Sequence, residues 1–147
     1  MKIILGADHG GFEIKEKIKE YLLAYNFEVV DAGNLVYDAK DDYPDFAIAV
    51  AKKISANEAE KGIIVCGSGV GACIAANKIK GIRACVCHDV YSAHQGVEHD
   101  DMNVLCLGGR IIGIETAKEI VHAFANATFS NDERHKRRLE KILALEN

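Results

Sequence analysis

A thiol and a hydroxyl two residues apart stand at the entry to a glycine-rich turn, Cys66-Gly67-Ser68-Gly69-Val70-Gly71. Glycine has no Cβ, so such a turn can bend sharply and bring bare backbone N–H groups close to a ligand. The run Ile63-Ile64-Val65-Cys66 before it reads as a strand covered on both faces, and Ala72 to Asn77 after it as a buried helix. Strand, glycine turn and helix N-terminus gather unpaired donors and the positive end of a helix dipole around an anion. The same donors favour a thiolate at Cys66, the form that acts as nucleophile or base. A glycine-rich turn also serves close packing alone, and a strand-end cysteine is commonly a small buried hydrophobe. The turn by itself therefore leaves both readings open. It lacks the Gly-Lys-Ser/Thr ending of a P-loop, it lies mid-chain rather than on a first strand as a dinucleotide fingerprint does, and Ala72 stands where a cysteine phosphatase loop needs arginine.

Other reactive side chains fall into three groups. Asp8-His9-Gly10-Gly11 closes the first apolar run. Arg134 and Arg138, four apart on a charged helix, lie on one side where two guanidinium forks can hold one phosphate, although a run such as Glu133 to Arg138 is also how a solvated helix face reads. Arg110, at the end of the fifth strand, adds a third cation. His99 sits in the polar stretch Val97 to Asn103, read as a loop before the fifth strand and so near that strand's amino end, away from Cys66. It is either a surface histidine or a catalytic group that reaches the Cys66 of a partner subunit, making the active protein at least a dimer. Cys85-Val86-Cys87-His88 is not assigned a metal, because strand alternation separates the histidine from the thiols and no second ligand pair follows at zinc spacing.

The elements that must position these groups can be read from periodicity. Lys2 to Ala7 is a strand, and Phe12, Ile14, Ile18, Leu22 and Leu23 mark a helix that stops at Asn26. A second strand covers Phe27 to Ala32, and the acidic, irregular stretch Gly33 to Tyr43 has a length that often carries function. Pro44 opens a helix capped by Asp42, with Phe46, Ile48, Val50 and Ile54 inward. Beyond the Cys66 unit come a strand at Ile82 to Cys87, a short helix from Val90 to Gly96, a strand at Val104 to Leu107, a helix from Ile114 to Phe124 and a last one from Asp132 to Leu145. Apolar strands alternating with helices predict a single α/β domain over residues 1–147. The expected form is a three-layer αβα, Rossmann-like (flavodoxin-like) fold. Its five-stranded parallel sheet takes the order 2-1-3-4-5, with an extra C-terminal helix. Ligands bind such sheets outside the carboxyl ends of the strands at the switch point, so Asp8-His9 and Cys66 should be neighbours.

Composition excludes several classes of partner. The 147 residues are 49% apolar with a net charge of −4, which suits neither a nucleic-acid nor a membrane surface. No segment approaches the apolar length of a membrane span and the N-terminus lacks a signal-peptide layout, so a cytoplasmic protein is expected. Five cysteines, an odd number lying mostly in apolar runs, read as reduced thiols; Cys73, Cys85, Cys87 and Cys106 are expected to pack in the core.

Taken in order, Asp8-His9-Gly10-Gly11-Phe12, Asp42-Tyr43-Pro44, Cys66 to Gly71, Ala75-Ala76-Asn77-Lys78, Gly81-Ile82-Arg83-Ala84, His99 and Gly109-Arg110 resemble the ribose-5-phosphate isomerase B family, which also contains the galactose-6-phosphate isomerase subunits. The resemblance implies an aldose–ketose isomerase that needs no cofactor or metal. It implies action on a phosphorylated sugar through an enediolate, in a homodimer or dimer of dimers with active sites at the subunit interface. By that similarity Cys66 moves the proton between C1 and C2, and Ser68 with the amides of Gly67, Gly69, Val70 and Gly71 holds the oxyanion. His99 helps to open the sugar ring, Asp8 or Tyr43 orients the substrate, and His9, Arg110, Arg134 and Arg138 hold the phosphate. Asp100 departs from the asparagine of many members. A carboxylate cannot donate to an oxyanion, so it is expected to accept from substrate hydroxyls and to change which sugar phosphate is preferred. Ribose and ribulose 5-phosphate are the expected pair, with a tetrose or hexose phosphate, or phosphosugar binding without turnover, as alternatives.

Overall fold

The computed structural model describes residues 1–146. Strands β1 (Lys2–Ala7), β2 (Glu28–Asp31), β3 (Lys61–Cys66), β4 (Ala84–Val86) and β5 (Val104–Gly108) alternate with helices α1 (Phe12–Ala24), α2 (Tyr43–Ser55), α3 (Val70–Ala76), α4 (Val90–Asp100) and α5 (Ile114–Asn126). Helix α6 (Glu133–Leu143) follows and ends in a short 3-10 turn. All strand pairs are parallel. Successive side chains point to opposite faces, so Ile3, Leu5, Ile63 and Val65 pack with α1, α4 and α5, while Ile4, Ile64 and Cys66 pack with α2 and α3. This is the three-layer αβα arrangement that the apolar strands predict.

The sheet order is β2-β1-β3-β5-β4, so the last two strands are exchanged relative to the expected 2-1-3-4-5. Burial explains the exchange. Every residue of β5 is buried, as a strand between two neighbours must be, whereas β4 is three residues long and none of them is fully buried. The outer edge of β4 is closed by a side chain: Asn77 accepts from the Ala84 N–H at 2.8 Å and donates to the Ala84 carbonyl at 2.9 Å, occupying groups that would otherwise invite another strand.

Other local expectations change as well. Helix α4 does not stop at Gly96 but runs to Asp100, because Val97 is buried one turn after Ala93 and the Met102 thioether fills the space over Gly96. Helix α3 is buried on one side only, through Ala72 and Ala76, and leaves Val70 and Ile74 53% and 59% exposed. Asp42 sits at the N-cap position of α2 without a capping bond from its side chain. Among the cysteines assigned to packing, Cys87 and Cys106 are buried, but Cys73 is half-buried and Cys85 exposed.

Two lysines are buried with their charges answered. Lys15 bridges both oxygens of Asp31 at 2.9 Å, and Lys19 reaches the same carboxylate. Burial pushes the Asp31 carboxyl up, but the hydrogen bonds from Lys15 and Lys19 outweigh it and hold it below the usual range. Lys61 donates to the carbonyls of Phe124, Ala125 and Ala127 at 2.7, 3.1 and 2.6 Å, closing the C-terminus of α5.

Candidate active site

The turns that follow β1, β3 and β5 meet at the carboxyl ends of the strands. Gly109 N–H donates to the Cys66 carbonyl at 2.7 Å and Arg110 N–H to the Gly67 carbonyl at 3.0 Å, which locks the β5 turn onto the glycine turn. Asp8, His9, Tyr43, Cys66, Gly67, Ser68, Gly71 and Arg110 line one cavity of about 450 Å³. Asp8-His9 and Cys66 are therefore neighbours, as the switch-point rule requires.

Within the cavity the thiol is held by the backbone. Cys66 is 4% exposed, and the Gly69 N–H points at its sulfur from 3.1 Å. Immediately after that amide Gly69 adopts φ = +82°, a conformation that a side chain would strain, and leads the chain into α3. The Val70 N–H donates to Ser68 Oγ at 3.3 Å. The following amides open α3, where no helical acceptor exists for them. Gly71 has a second role: a Cβ there would lie 2.5 Å from the Tyr43 ring, so its absence lets the tyrosine close one wall.

His9 is oriented by a residue absent from the sequence-derived set. Asp41 Oδ1 accepts from the His9 backbone N–H at 3.0 Å and lies 2.7 Å from its Nδ1, and Asn34 donates to the other oxygen at 3.2 Å. Burial pushes the Asp41 carboxyl up, yet the His9 N–H, the His9 ring and Asn34 together hold it below its usual range. The carboxylate takes the Nδ1 proton as its partner and leaves Nε2 to a ligand. The only sequence signal was that Asp41 lies in the acidic stretch before Tyr43. Asp8, His9 and Asp41 bring ligand atoms within 4.8 Å of one another. The short ring-to-carboxylate bond spends two of those donors on each other, which suits an anion at Nε2 better than a metal.

His99, Asp100, Arg134 and Arg138 do not line this cavity. They gather where the end of α4 meets α6. The His99 ring stacks on His135, with centroids 4.0 Å apart and planes at 25°, and its Nδ1 lies 2.8 Å from the Gln95 amide. The end of α4 is tied down by Arg83, which donates to the Asp101 carbonyl at 2.7 Å and pairs with its carboxylate at 2.8 Å. Arg134 and Arg138 are exposed on α6, whose buried residues are His135 and Leu139. The sequence-derived residues thus form two groups, one around Cys66 at the ends of the strands and one around His99 on α4 and α6.

The remaining thiols stand apart from the Cys66 cavity: Cys73 donates to the Ala84 carbonyl at 3.4 Å, Cys85 to the Val86 carbonyl at 3.6 Å and Cys87 towards the Met102 thioether at 4.0 Å. The neighbouring Cys106 holds the Cys73 thiol down to about 7, and Cys73 together with burial raises Cys106.

The profile of the family described as Ribose/Galactose Isomerase matches residues 3–142. The chain belongs to this family. It is 44% identical over 145 residues to "Ribose-5-phosphate isomerase B" of Escherichia coli, covering 99% of this chain and 96% of that protein. The structure of ribose-5-phosphate isomerase B from Mycoplasma genitalium with bound ribulose-5-phosphate superposes with a TM-score of 0.93 at 42% identity, covering 99% of this chain and 95% of that one. A further relative, "D-erythrulose-4-phosphate isomerase 2" of Mycolicibacterium smegmatis, is 37% identical over 99% of this chain and 97% of its own length. The family's sugar-isomerase character and the α/β fold read from the motifs agree with these likenesses. No helix among the described residues is long and apolar enough to cross a membrane.

Proposed function

We propose that this chain interconverts ribose 5-phosphate and ribulose 5-phosphate, with Cys66 as the base, in a dimer whose active sites join the Cys66 group of one subunit to the His99 group of its partner. The observation that carries the chemistry is the Cys66 sulfur at the mouth of the glycine turn, in one cavity with His9 and Arg110. Ring opening breaks C1–O4, adds a proton to O4 and removes one from the O1 hydroxyl, leaving an aldehyde; His99 handles one of these protons. The Cys66 thiolate then takes the C2 proton. The electron pair moves to O1, where the amides of the glycine turn and Ser68 stabilise the enediolate. Return of the proton to C1, with transfer of the O2 proton to O1, completes the ketose. His9 and Arg110, with the partner's Arg134 and Arg138, clamp the phosphate, and Asp8 and Tyr43 orient the hydroxyls. Base, oxyanion donors and clamp together meet the needs of proton transfer next to a carbonyl, so no step calls on a metal or cofactor.

Three features support the dimer: the two groups lie apart in one chain, α6 exposes both arginines, and α3 exposes Val70 and Ile74 beside the cavity. The test is turnover of ribose 5-phosphate in a chelating buffer beside Cys66→Ala. Chelator-resistant activity that the variant lacks supports the proposal, and an inactive wild type overturns it.

Asp100 favours a second reading, a shifted sugar preference, to which the tetrose phosphate named for one relative gives a concrete alternative. Asp100→Asn should reorder a panel of tetrose, pentose and hexose phosphates; an unchanged ranking removes Asp100 as the cause.

A further inference from the structure

His135 is an anomaly on its helix. Glu133, Arg134, Lys136, Arg137 and Arg138 around it are exposed, while His135 is 2% exposed. Both ring nitrogens and one face of the ring are engaged. Nδ1 lies 2.6 Å from Ser130 Oγ, and Arg134 Nε faces Nε2 at 3.3 Å. One ring face stacks on His99 at 4.0 Å. Asp132 comes no closer to Nδ1 than 4.0 Å. An arginine nitrogen can only donate, so Nε2 accepts, Nδ1 carries the proton and Ser130 receives it. The ring is thereby held neutral in a single tautomer. Burial, His99, Arg134 and Arg138 act against the charged form, and together they outweigh Asp132, which acts for it.

This arrangement constrains His99. Its flat face rests on His135, its Nδ1 edge meets Gln95, and Nε2 is left as the atom for chemistry. It also ties His99 to the phosphate clamp: the guanidinium that faces His135 through Nε has one Nη 3.5 Å from the Asp132 carboxylate and keeps its other Nη for a ligand. A side chain that only filled space would need neither polar contact.

We propose that His135 is a positioning residue for ring opening: it fixes the plane of His99 and links it to the phosphate-holding Arg134. The inference rests on the ring-opening role of His99 proposed above.

Two substrates separate ring opening from the Cys66 chemistry. Ribose 5-phosphate is mostly a closed ring. Ribulose 5-phosphate is open-chain, because its O5 carries the phosphate, and exchange of its C1 proton with D2O needs only the enediolate step. In His135→Asn the amide can keep the Ser130 bond but not the stack. We expect kcat for ribose 5-phosphate to fall about tenfold or more, as a misplaced group can cost, while C1 exchange at saturating ribulose 5-phosphate stays within about twofold. His135→Phe, which restores a ring to the stack, should recover part of the loss. His99→Asn is the control. If it spares ring opening, the role of His99 fails. If it shows the asymmetry but His135→Asn lowers both rates equally or neither, the positioning role is overturned. Should His135→Asn not fold, Ser130→Ala frees Nδ1 with the ring retained and must show the same asymmetry, at about threefold; equal effects on both rates overturn the proposal in that variant too.

Discussion

The Cys66 cavity and the His99 face are built in opposite ways. Around Cys66 the positioning is done by backbone: the turns after β3 and β5 lock together through main-chain hydrogen bonds, the turn after β1 packs its glycines against both, and the thiol is met by an amide. Around His99 it is done by side chains, Gln95 and His135 on two helices and Ser130 and Arg83 in the segments beside them. A backbone cradle inside a parallel sheet is rigid before any ligand arrives. A side-chain lattice on two helices and the segments beside them becomes an enclosed site only when something covers it. In the proposed dimer each region supplies what the other lacks, a preorganised base from one and a closing cationic wall from the other.

The largest expected effect tests that division directly. Cys66→Ala and His99→Ala should each lose activity, Cys66→Ala by about 10²–10⁴-fold as removal of a general base does. Mixed and re-associated, the two inactive variants should regain turnover, because one of the two sites in a mixed dimer would pair an intact Cys66 with an intact His99. Failure to complement, with hybrid dimers verified by mass, would mean that both residues serve one subunit's site.

Next in size, Lys15→Met should destabilise the fold by about 3 kcal/mol, since it removes one partner of a buried ion pair. Lys15 also contacts the Asn34 carbonyl, which leads into the loop carrying Asp41. Substrate affinity should therefore weaken along with the urea midpoint, whereas the His99 face, reported by the C1-exchange comparison, should be unaffected.

Gly71→Ala should cost about 1–3 kcal/mol of overpacking, because the new methyl must displace the Tyr43 ring. A raised KM with a preserved fold would show Tyr43 to be part of the cavity wall. An unchanged KM would make the contact mere packing.

Smaller effects probe the charge behind His9. Asp41→Asn should raise KM for the sugar phosphate about tenfold, roughly 1.4 kcal/mol, with little change in kcat, and weaken inhibition by inorganic phosphate. Asp31 and Asp41 both bind protons less readily folded than unfolded. The stability they contribute is therefore present above the ordinary carboxylate value near 3.8 and lost as pH falls through the lower folded values. Urea midpoints between pH 6 and pH 3 should fall, and Asp41→Asn should flatten that fall.

Much of the Cys66 region was legible in the chain because its signals are local. An apolar run that ends in glycines marks both the strand and the turn, and the switch-point rule then joins it to Asp8-His9. The His99 region was less legible. Gly96 reads as a helix stop until Met102 is seen to fill the space above it. His135 is hidden in a run of charges, and Asp41 is one acid among several until the fold brings it to His9. The exchange of β4 and β5 was invisible for a related reason: both are short apolar runs, and which lies at the edge depends on what covers each.

The sequence alone therefore determined the alternation of strands and helices, the glycine turn and the family motifs, because hydrophobic period, backbone freedom and residue type act over a few neighbouring positions. The tertiary structure alone decided which acid holds His9, which ring supports His99 and which strand lies at the edge, because those depend on distance and burial between segments far apart in the chain.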